Sequence, residues 1–305
     1  MKLYTFLFSA IFCALFFQPN QSYSQWVKTN GADSGYINCF TVSPNNSGGL
    51  NIFAGGYGGI FLSNDNGANW TLVNNGLLTT DVFAIAASAP GTGDTSVFVV
   101  TLGVYRSTSN VINWYRIYFG MALTLATNFN INGYTNLFVG TQSEGVKIST
   151  DNGANWSEAN NGLTNLVVRL LATTSNGENL FASTDGGFFL STNNGASWTA
   201  INNGLTNPTV LALANIDTNL FAGTDCGGLF LSTNNGMNWN EVNTGIADAQ
   251  VTSLATSGSN LFAVMNSKVY LTTNNGTSWT NINTGLENSY ADAILTSGTY
   301  IFTGT

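Results

Sequence analysis

Short apolar runs, separated by clusters of Asn, Gly, Ser and Thr, follow one another along almost the whole chain. Residues 219–239, for example, read N-L-F-A-G-T-D-C-G-G-L-F-L-S-T-N-N-G-M-N-W, and similar text occurs at residues 179–198 and 136–156. The runs have the length of β-strands, and their continuous apolar character is typical of strands buried on both faces. Asn-Gly pairs between them favour tight hairpins because both residues accept positive φ. The pattern predicts an all-β chain of many short strands.

Tryptophan marks the period of this pattern. It occurs at positions 26, 70, 114, 156, 198, 239 and 279, so successive copies lie 44 to 40 residues apart. A period of this size is typical of four-stranded propeller blades, and radial repetition hides the sheet edges that an all-β chain would otherwise expose. We therefore predict a seven-bladed β-propeller of four-stranded antiparallel blades.

Each unit divides into four strands, A to D. Candidate A strands begin near Ile37, Val82, Ala122, Val168, Val210, Val251 and Ala291. The last unit has strands A and B but no strand C. Residues 26–28 resemble a strand D, but they precede the first strand A and so belong to no complete unit. We expect residues 26–28 to close the ring beside the last unit, leaving a gap where strand C belongs. Residues 25–305 would then hold six full repeats and a partial seventh blade, which favours a fragment of a longer chain.

The first residues predict a signal peptide over residues 1–24. Lys2 precedes an apolar run at residues 3–17, which is short for a membrane span. Ser22 and Ser24 follow at the spacing of a signal-peptidase site, so we expect cleavage after Ser24. A membrane anchor is the alternative. Cleavage would leave no transmembrane span and a protein that is secreted or at the cell surface, with the periplasm also compatible.

Charge and composition exclude several classes of function. Only 7% of the 305 residues are charged, the formal net charge is -8, and histidine is absent. Mechanisms that need an imidazole base or a histidine-bound zinc are therefore excluded. Seven Lys and Arg residues are too few for a basic stripe, so we expect no nucleic-acid partner. Cys39 and Cys226 lie on non-adjacent units and are interpreted as unreactive thiols, with a single bridge as the alternative.

The predicted turn between strands C and D repeats the motif S-x-D-x-G-x-x-W, with Asn in the Asp place in later copies. The motif positions are Ser63, Asp65, Gly67 and Trp70; Ser149, Asp151, Gly153 and Trp156; Ser191, Asn193, Gly195 and Trp198; Ser232, Asn234, Gly236 and Trp239; and, after Thr272, Asn274, Gly276 and Trp279. Five copies at blade spacing resemble the Asp-box, or BNR, repeat of secreted β-propellers. We interpret the motif as structural: the Asp or Asn bonds backbone N–H groups of its own turn, and the Trp covers it. The resemblance implies that these turns face away from the functional side.

The opposite side, with the B–C turns and the D–A connections, is where we expect ligand binding. The candidate residues on this face are Tyr57, Glu144, Arg169, Asp185, Asp225 and Asp248. The second residues of the A strands should line the channel mouth: Asn38, Phe83, Leu123, Arg169, Leu211, Thr252 and Asp292. Asp185, Asp225 and Asp292 are the candidates for a catalytic carboxylate pair, which a glycosidase needs. Ordinary turn capping by Asp is the competing interpretation for Asp185 and Asp225.

Resemblances to enzyme families are weaker. Sialidases hold their substrate with three arginines, whereas Arg106, Arg116 and Arg169 are not placed to converge. Xyloglucanase-type hydrolases resemble the repeat but pair two propellers around a cleft. The F-A-G-T and Asp-box pattern also resembles photosystem II assembly factor propellers and their exported bacterial relatives, which are binding scaffolds.

The sequence thus favours an exported, non-catalytic binding or interaction propeller. Its partner would be a polysaccharide, a peptide or another molecule at the cell surface, and glycoside hydrolysis is the alternative. No CxxC, phosphate loop or EF-hand pattern is present, so we expect no cofactor and no metal.

Overall fold

The computed structural model describes residues 12–14, 26–30, 36–45, 48–88, 96–107, 113–129, 135–174, 177–246, 249–286 and 290–305. All regular structure in these ranges is β, as predicted. Within them the search for a helix of the length and hydropathy needed to cross a membrane finds none.

Four-stranded antiparallel sheets, in which sequence neighbours pair, account for most of the chain. Before them come β1 (Phe12–Ala14) and β2 (Val27–Lys28). Blade 1 consists of β3 (Ile37–Pro44), β4 (Leu50–Gly56), β5 (Gly59–Ser63) and β6 (Thr71–Leu72). Blade 2 consists of β7 (Ala84–Ala87), β8 (Val97–Thr101), β9 (Gly103–Ser107) and β10 (Trp114–Tyr118). Blade 3 consists of β11 (Ala122–Phe129), β12 (Thr135–Thr141), β13 (Val146–Ser149) and β14 (Ser157–Glu158).

The second half of the chain repeats the arrangement. Blade 4 consists of β15 (Val168–Thr173), β16 (Leu180–Thr184), β17 (Gly187–Ser191) and β18 (Thr199–Ala200). Blade 5 consists of β19 (Val210–Ile216), β20 (Asn219–Thr224), β21 (Leu229–Ser232) and β22 (Asn240–Glu241). Blade 6 consists of β23 (Val251–Ser257), β24 (Asn260–Met265), β25 (Lys268–Thr272) and β26 (Thr280–Asn281). The last two strands are β27 (Ala293–Ser297) and β28 (Tyr300–Gly304).

The structure therefore has six blades built from consecutive strands, rather than the seven blades that the sequence predicts. The two chain ends combine instead into one further sheet with the strand order β2-β1-β28-β27, which we call the end sheet. Cys13 pairs with Lys28, and Phe12 pairs with Gly304, so β1 lies between β28 and β2. In the full chain β1 occupies the place of the missing strand C, whereas the predicted gap concerns residues 25–305 alone. Because β1 lies inside the predicted signal peptide, the sequence did not predict it as a strand of the ring.

Apolar residues fill the spaces between neighbouring sheets rather than one central core. Phe181, Phe188 and Phe230 lie in the cluster between blades 4 and 5, and all are almost completely buried. The end sheet takes part on both sides: Ile301 belongs to a cluster with blade 6, and Phe302 contacts Ile52 of blade 1. Because the cores lie between the sheets, each sheet is buried on both faces, as the continuous apolar runs predicted.

The seven tryptophans join each sheet to the one before it. Nε1 of Trp198 donates to the carbonyl oxygen of Ala159 at 2.8 Å, and Nε1 of Trp239 donates to that of Ile201 at 2.9 Å. In each pair the acceptor lies three residues after the preceding tryptophan. The same relation continues through the end sheet, where Trp26 donates to Ile282 and Trp70 donates to Oγ1 of Thr29. This ring of hydrogen bonds therefore includes the end sheet.

The motif turns between strands C and D are closed by their own side chains. Asp65 Oδ1 accepts from the Ser63 hydroxyl at 2.8 Å and from the Asn69 backbone N–H at 2.9 Å, while Ser63 Oγ accepts from Gly67 N–H. Asn66 and Gly67 have φ of 57° and 81°, the left-handed region that Asn and Gly tolerate best. Asn193 and Asn234 accept the equivalent bonds in their blades. These polar groups therefore form their hydrogen bonds within the turn itself.

Candidate binding face

The B–C turns and the D–A connections meet at one end of the ring, which we call the mouth face. Backbone hydrogen bonds tie the two loop sets together in most blades: Tyr57 donates to Tyr36, Asp185 to Val167, and Asp225 to Thr209. The side chains at the tips of these turns are consequently carried by short loops whose backbones are hydrogen-bonded. Backbone hydrogen bonds thus support the turns of the mouth face that carry its exposed side chains.

Exposed apolar and aromatic side chains concentrate on one arc of this face. The large ones on blades 1 to 3 and their connections are Tyr36, Tyr57, Leu78, Phe83, Leu102, Phe119, Met121 and Leu166. Phe119 is 75% exposed and Met121 is 62% exposed. Soluble proteins seldom keep such a concentration without a partner. Sequence reasoning identified Tyr57 and Phe83 on this face but missed this set as a surface, which we call the apolar arc.

Arg116 fixes the middle of the apolar arc. Its guanidinium lies 4.8 Å from the ring centre of Phe119 and donates to the backbone oxygens of Leu102, Tyr118 and Phe119. The cation thereby holds the B–C turn of blade 2 against the following D–A connection. Phe119 is exposed yet oriented, which lowers the entropy cost of using it as a contact.

Charged residues of the mouth face are largely paired with one another. Arg169 forms a two-pronged ion pair with Asp185, with Nη2 donating to Oδ2 at 3.0 Å. The hydrogen bond and charge of Arg169 lower the pKa of Asp185, so this carboxylate stays ionised and is a poor proton donor. Glu144 accepts from Lys147 at 2.9 Å, and Lys147 also reaches Glu158. These groups neutralise each other.

Asp225 has a different set of partners. Its Oδ1 accepts from Nε2 of Gln250 at 2.9 Å and from the exposed thiol of Cys226 at 3.5 Å. Its carboxylate is therefore engaged by blade 6, whereas the carboxylate of Asp185 is engaged within blade 4. Cys226 is free, as is Cys39, and the alternative of a bridge between them is wrong. Burial raises the pKa of Cys39 to about 12.

Asp292 lies in an open cavity of about 440 Å³ where blade 6, the end sheet and blade 1 meet. Tyr36, Asn38, Tyr57 and Thr252 line the same cavity. The rings of Tyr36 and Tyr57 pack edge to face with centroids 6.3 Å apart. Burial raises the pKa of the Asp292 carboxyl, because the charged form loses water there. We call this cavity the Asp292 cavity.

The described lining of the Asp292 cavity brings no second carboxylate beside Asp292. Asp185 and Asp225 have their own partners, and Asp248 lies outside the described residues. The three arginines are also dispersed, since Arg106 lies over the Phe98 ring while Arg116 and Arg169 have the partners given above. Among the described residues no group of three or more Cys, Asp and Glu side chains is arranged to hold a metal ion.

Comparison with known proteins places the chain by its fold. No protein-family model matches it, and a search of the curated proteins gives no match. Similar solved structures are β-propellers, so the chain belongs to that class of fold.

Three of these structures illustrate the range. The extracellular domain of BT4673 from B. thetaiotaomicron has a TM-score of 0.69 at 14% identity over 90% of this chain, which spans 39% of that domain. YCF48 bound to D1 peptide has a TM-score of 0.68 at 15% identity, covering 93% of this chain and 98% of YCF48. The GH74 enzyme of Niastella koreensis has a TM-score of 0.58 at 18% identity, covering 96% of this chain and 46% of the enzyme. At such identities the likeness shows the fold alone.

Proposed function

We propose that this chain is an exported, non-catalytic propeller that binds a protein partner, as a peptide segment, across its mouth face. The apolar arc on blades 1 to 3 carries the proposal. Aromatic and Met side chains are enriched at protein interfaces, and here they lie on turns held by backbone hydrogen bonds. Of the partners that the sequence left open, a protein fits this apolar surface better than a polysaccharide. YCF48, a propeller of similar fold, holds a peptide.

We also propose that the protein is exported, because a surface that binds an external partner must lie outside the cytoplasm. The signal peptide over residues 1–24, with cleavage after Ser24, would place the mouth face outside the cytoplasm. One structural relative is an extracellular domain. N-terminal sequencing of the protein recovered from the producing cells tests the proposal: a start at Gln25 supports it, and a start at Met1 contradicts it.

We further propose that the end sheet serves as the seventh blade. Its strand β27 packs against β23 of blade 6 on one side and against β3 of blade 1 on the other. The end sheet therefore lies between blades 6 and 1, where it closes the ring. Trp26 and Thr29 also take the donor and acceptor positions that the other blades fill in the tryptophan ring. A Trp26→Phe variant should therefore lose stability as much as a Trp239→Phe variant, within a factor of two in the free energy of unfolding.

Two methionines provide a matched test of the binding face. Met121 lies on the apolar arc, whereas Met237 is 67% exposed at a motif turn on the opposite side. Peptides selected from a random 15-residue library should bind the wild type saturably. Met121→Asp should weaken this binding at least tenfold, equivalent to about 1.4 kcal/mol, and Met237→Asp should leave it within twofold.

The outcomes of that test are distinct. Equal weakening by both variants, or failure of any library peptide to bind saturably, contradicts peptide recognition at the mouth face. Binding of an immobilised glycan that Met121→Asp weakens and Met237→Asp does not would assign the same face to a polysaccharide instead.

Glycoside hydrolysis is the second candidate function, favoured by the raised pKa of Asp292 and by the GH74 fold relative. A hydrolase needs a second carboxylate within about 5–10 Å. The described residues around Asp292 provide none, which supports binding over catalysis. Turnover of a β-glucan by the wild type, lost in Asp292→Asn with the fold intact, would reverse this preference.

A further inference from the structure

The polar groups of the Asp292 cavity present acceptors to whatever enters it. Nδ2 of Asn38 donates to the backbone oxygen of Val82 at 2.9 Å, which leaves its Oδ1 and its second N–H for a ligand. The Thr252 hydroxyl already donates to the backbone oxygen of Asp292 at 3.1 Å, so it can only accept a further bond. The Asp292 carboxylate adds two more acceptor oxygens. A ligand with several donors can use all four of these oxygens.

The Asp292 carboxylate has no hydrogen-bond donor and no cation among the described residues. Three mouth-face cations are held elsewhere: Arg169 by Asp185, Lys147 by two glutamates, and Arg116 by backbone oxygens. A fourth, the exposed Lys268 at the start of β25, forms no ion pair with Asp292 in the described part of the chain. A half-buried carboxylate without a partner is costly, and an entering cation would offset that cost. The formal net charge of -8 also favours a basic partner at long range.

The two tyrosine rings complete the environment. Tyr36 and Tyr57 are each 53% exposed and stand at 81° to one another on the wall of the cavity. Aromatic faces attract guanidinium and ammonium groups within about 6 Å. A sugar would also stack on tyrosine and could bond the tyrosine hydroxyls, but it would bring no positive charge to Asp292. A guanidinium has five donors and no acceptor, which matches this lining.

We propose that the Asp292 cavity is a subsite for a cationic side chain, an arginine of the partner, which pairs with Asp292 and lies against Tyr36 and Tyr57. This inference rests on the proposed function, because it names one anchor of the peptide that the mouth face binds. The apolar arc on blades 1 to 3 would then hold the hydrophobic residues that flank the arginine.

A pair of small probes tests the subsite without any knowledge of the partner. N-acetyl-arginine amide carries the cation, and N-acetyl-citrulline amide is its neutral isostere. Titration of the full chain, followed by NMR signals of carboxyl-labelled aspartate, should show arginine binding at least tenfold more tightly than citrulline. Saturation with the arginine probe should also lower the pKa of Asp292, since the cation favours the charged carboxylate.

Two variants locate the effect. Asp292→Asn should reduce arginine binding to the level of citrulline and leave citrulline binding unchanged. Asp225→Asn, which alters an exposed carboxylate engaged by Gln250 on the same face, should leave both within twofold. Equal affinity for the two probes, no binding of either, or equal losses in the two variants would overturn the subsite.

The subsite and the proposed function can fail separately. If library peptides bind at the Met121 surface but arginine and citrulline behave alike, peptide recognition stands and the subsite is rejected. If the arginine probe binds through Asp292 while no library peptide binds, the subsite stands and the proposed function is rejected.

Discussion

The aspartates of this chain differ in their roles because they differ in their partners. Asp151 accepts from the side chain and backbone N–H of Asn155 and from Ser149, and these bonds lower its pKa. Asp185 is paired with Arg169, while Asp292 meets neither a donor nor a cation among the described residues. The first two carboxylates stabilise the fold in their charged form, and the third is left for a ligand.

Asp292→Asn should make the protein more stable at neutral pH, because burial raises the pKa of Asp292 in the folded state. The folded chain then binds its proton more tightly, so stability falls as pH rises from the ordinary range of aspartate through the raised pKa. The variant should be more stable than the wild type at pH 7 and equal to it at pH 3, as measured by urea unfolding.

Asp185→Asn is the control of opposite sign. Arg169 lowers the pKa of Asp185, so this carboxylate stabilises the fold above the ordinary range of aspartate and loses that effect as pH falls. The variant should be slightly less stable than the wild type at pH 7, since the pair is exposed, and the difference should vanish at low pH. A gain at pH 7 for Asp185→Asn would contradict this assignment.

At the scale of the element, glycines allow one blade to approach the next. Gly204 has φ of 92°, and a Cβ built there would lie 2.1 Å from the backbone oxygen of Trp239. Gly245 occupies the equivalent place with φ of 85°, but no described atom lies within 4 Å of its Cβ position. The two positions share the backbone conformation and differ only in the space around them.

Alanine substitutions at these positions should therefore differ in cost. Gly245→Ala carries only the left-handed backbone penalty, about 1–2 kcal/mol. Gly204→Ala must in addition displace the Trp239 backbone, and such overpacking adds about 1–3 kcal/mol. Equal losses in the free energy of unfolding by urea would show that Gly204 is not needed for the close approach of the Trp239 backbone.

The elements were predictable from the sequence where local rules determine them. The motif turns follow from Ser, Asp or Asn, and Gly within five residues, and the A strands begin within two residues of their predicted starts. The apolar arc was not recognised, because Phe119 and Met121 lie between strands and the sequence does not show that Arg116 fixes them in place. Tyr36 was also missed, since only the second residue of each A strand was considered for the channel mouth.

At the scale of the whole molecule, ring closure depends on pairing between the two chain ends. The predicted D strand at residues 26–28 does belong with the last unit, but β1 lies between it and β28. Such a pairing joins residues nearly 300 positions apart, so it cannot be predicted from a local sequence pattern. This is why the blade period could be predicted from the sequence and the composition of the end sheet could not.

Removal of residues 1–24, the expected effect of signal-peptide cleavage, should loosen the end sheet. Three residue pairs that β1 makes with β2 and β28 are lost. Counting about one hydrogen bond for each pair, at 0.5–1.5 kcal/mol per bond, the loss should be about 1.5–4.5 kcal/mol, with faster amide exchange at residues 301–304. Unchanged exchange there would show that closure does not depend on β1.

We propose that the mouth face, and not the motif-turn face, is the binding surface. Hydrogen exchange of the protein, free and saturated with a selected library peptide, tests it most directly. We expect slower exchange at the D–A connections and B–C turns of blades 1 to 3 and beside Asp292, with no change at the motif turns. Protection confined to the motif turns would contradict it.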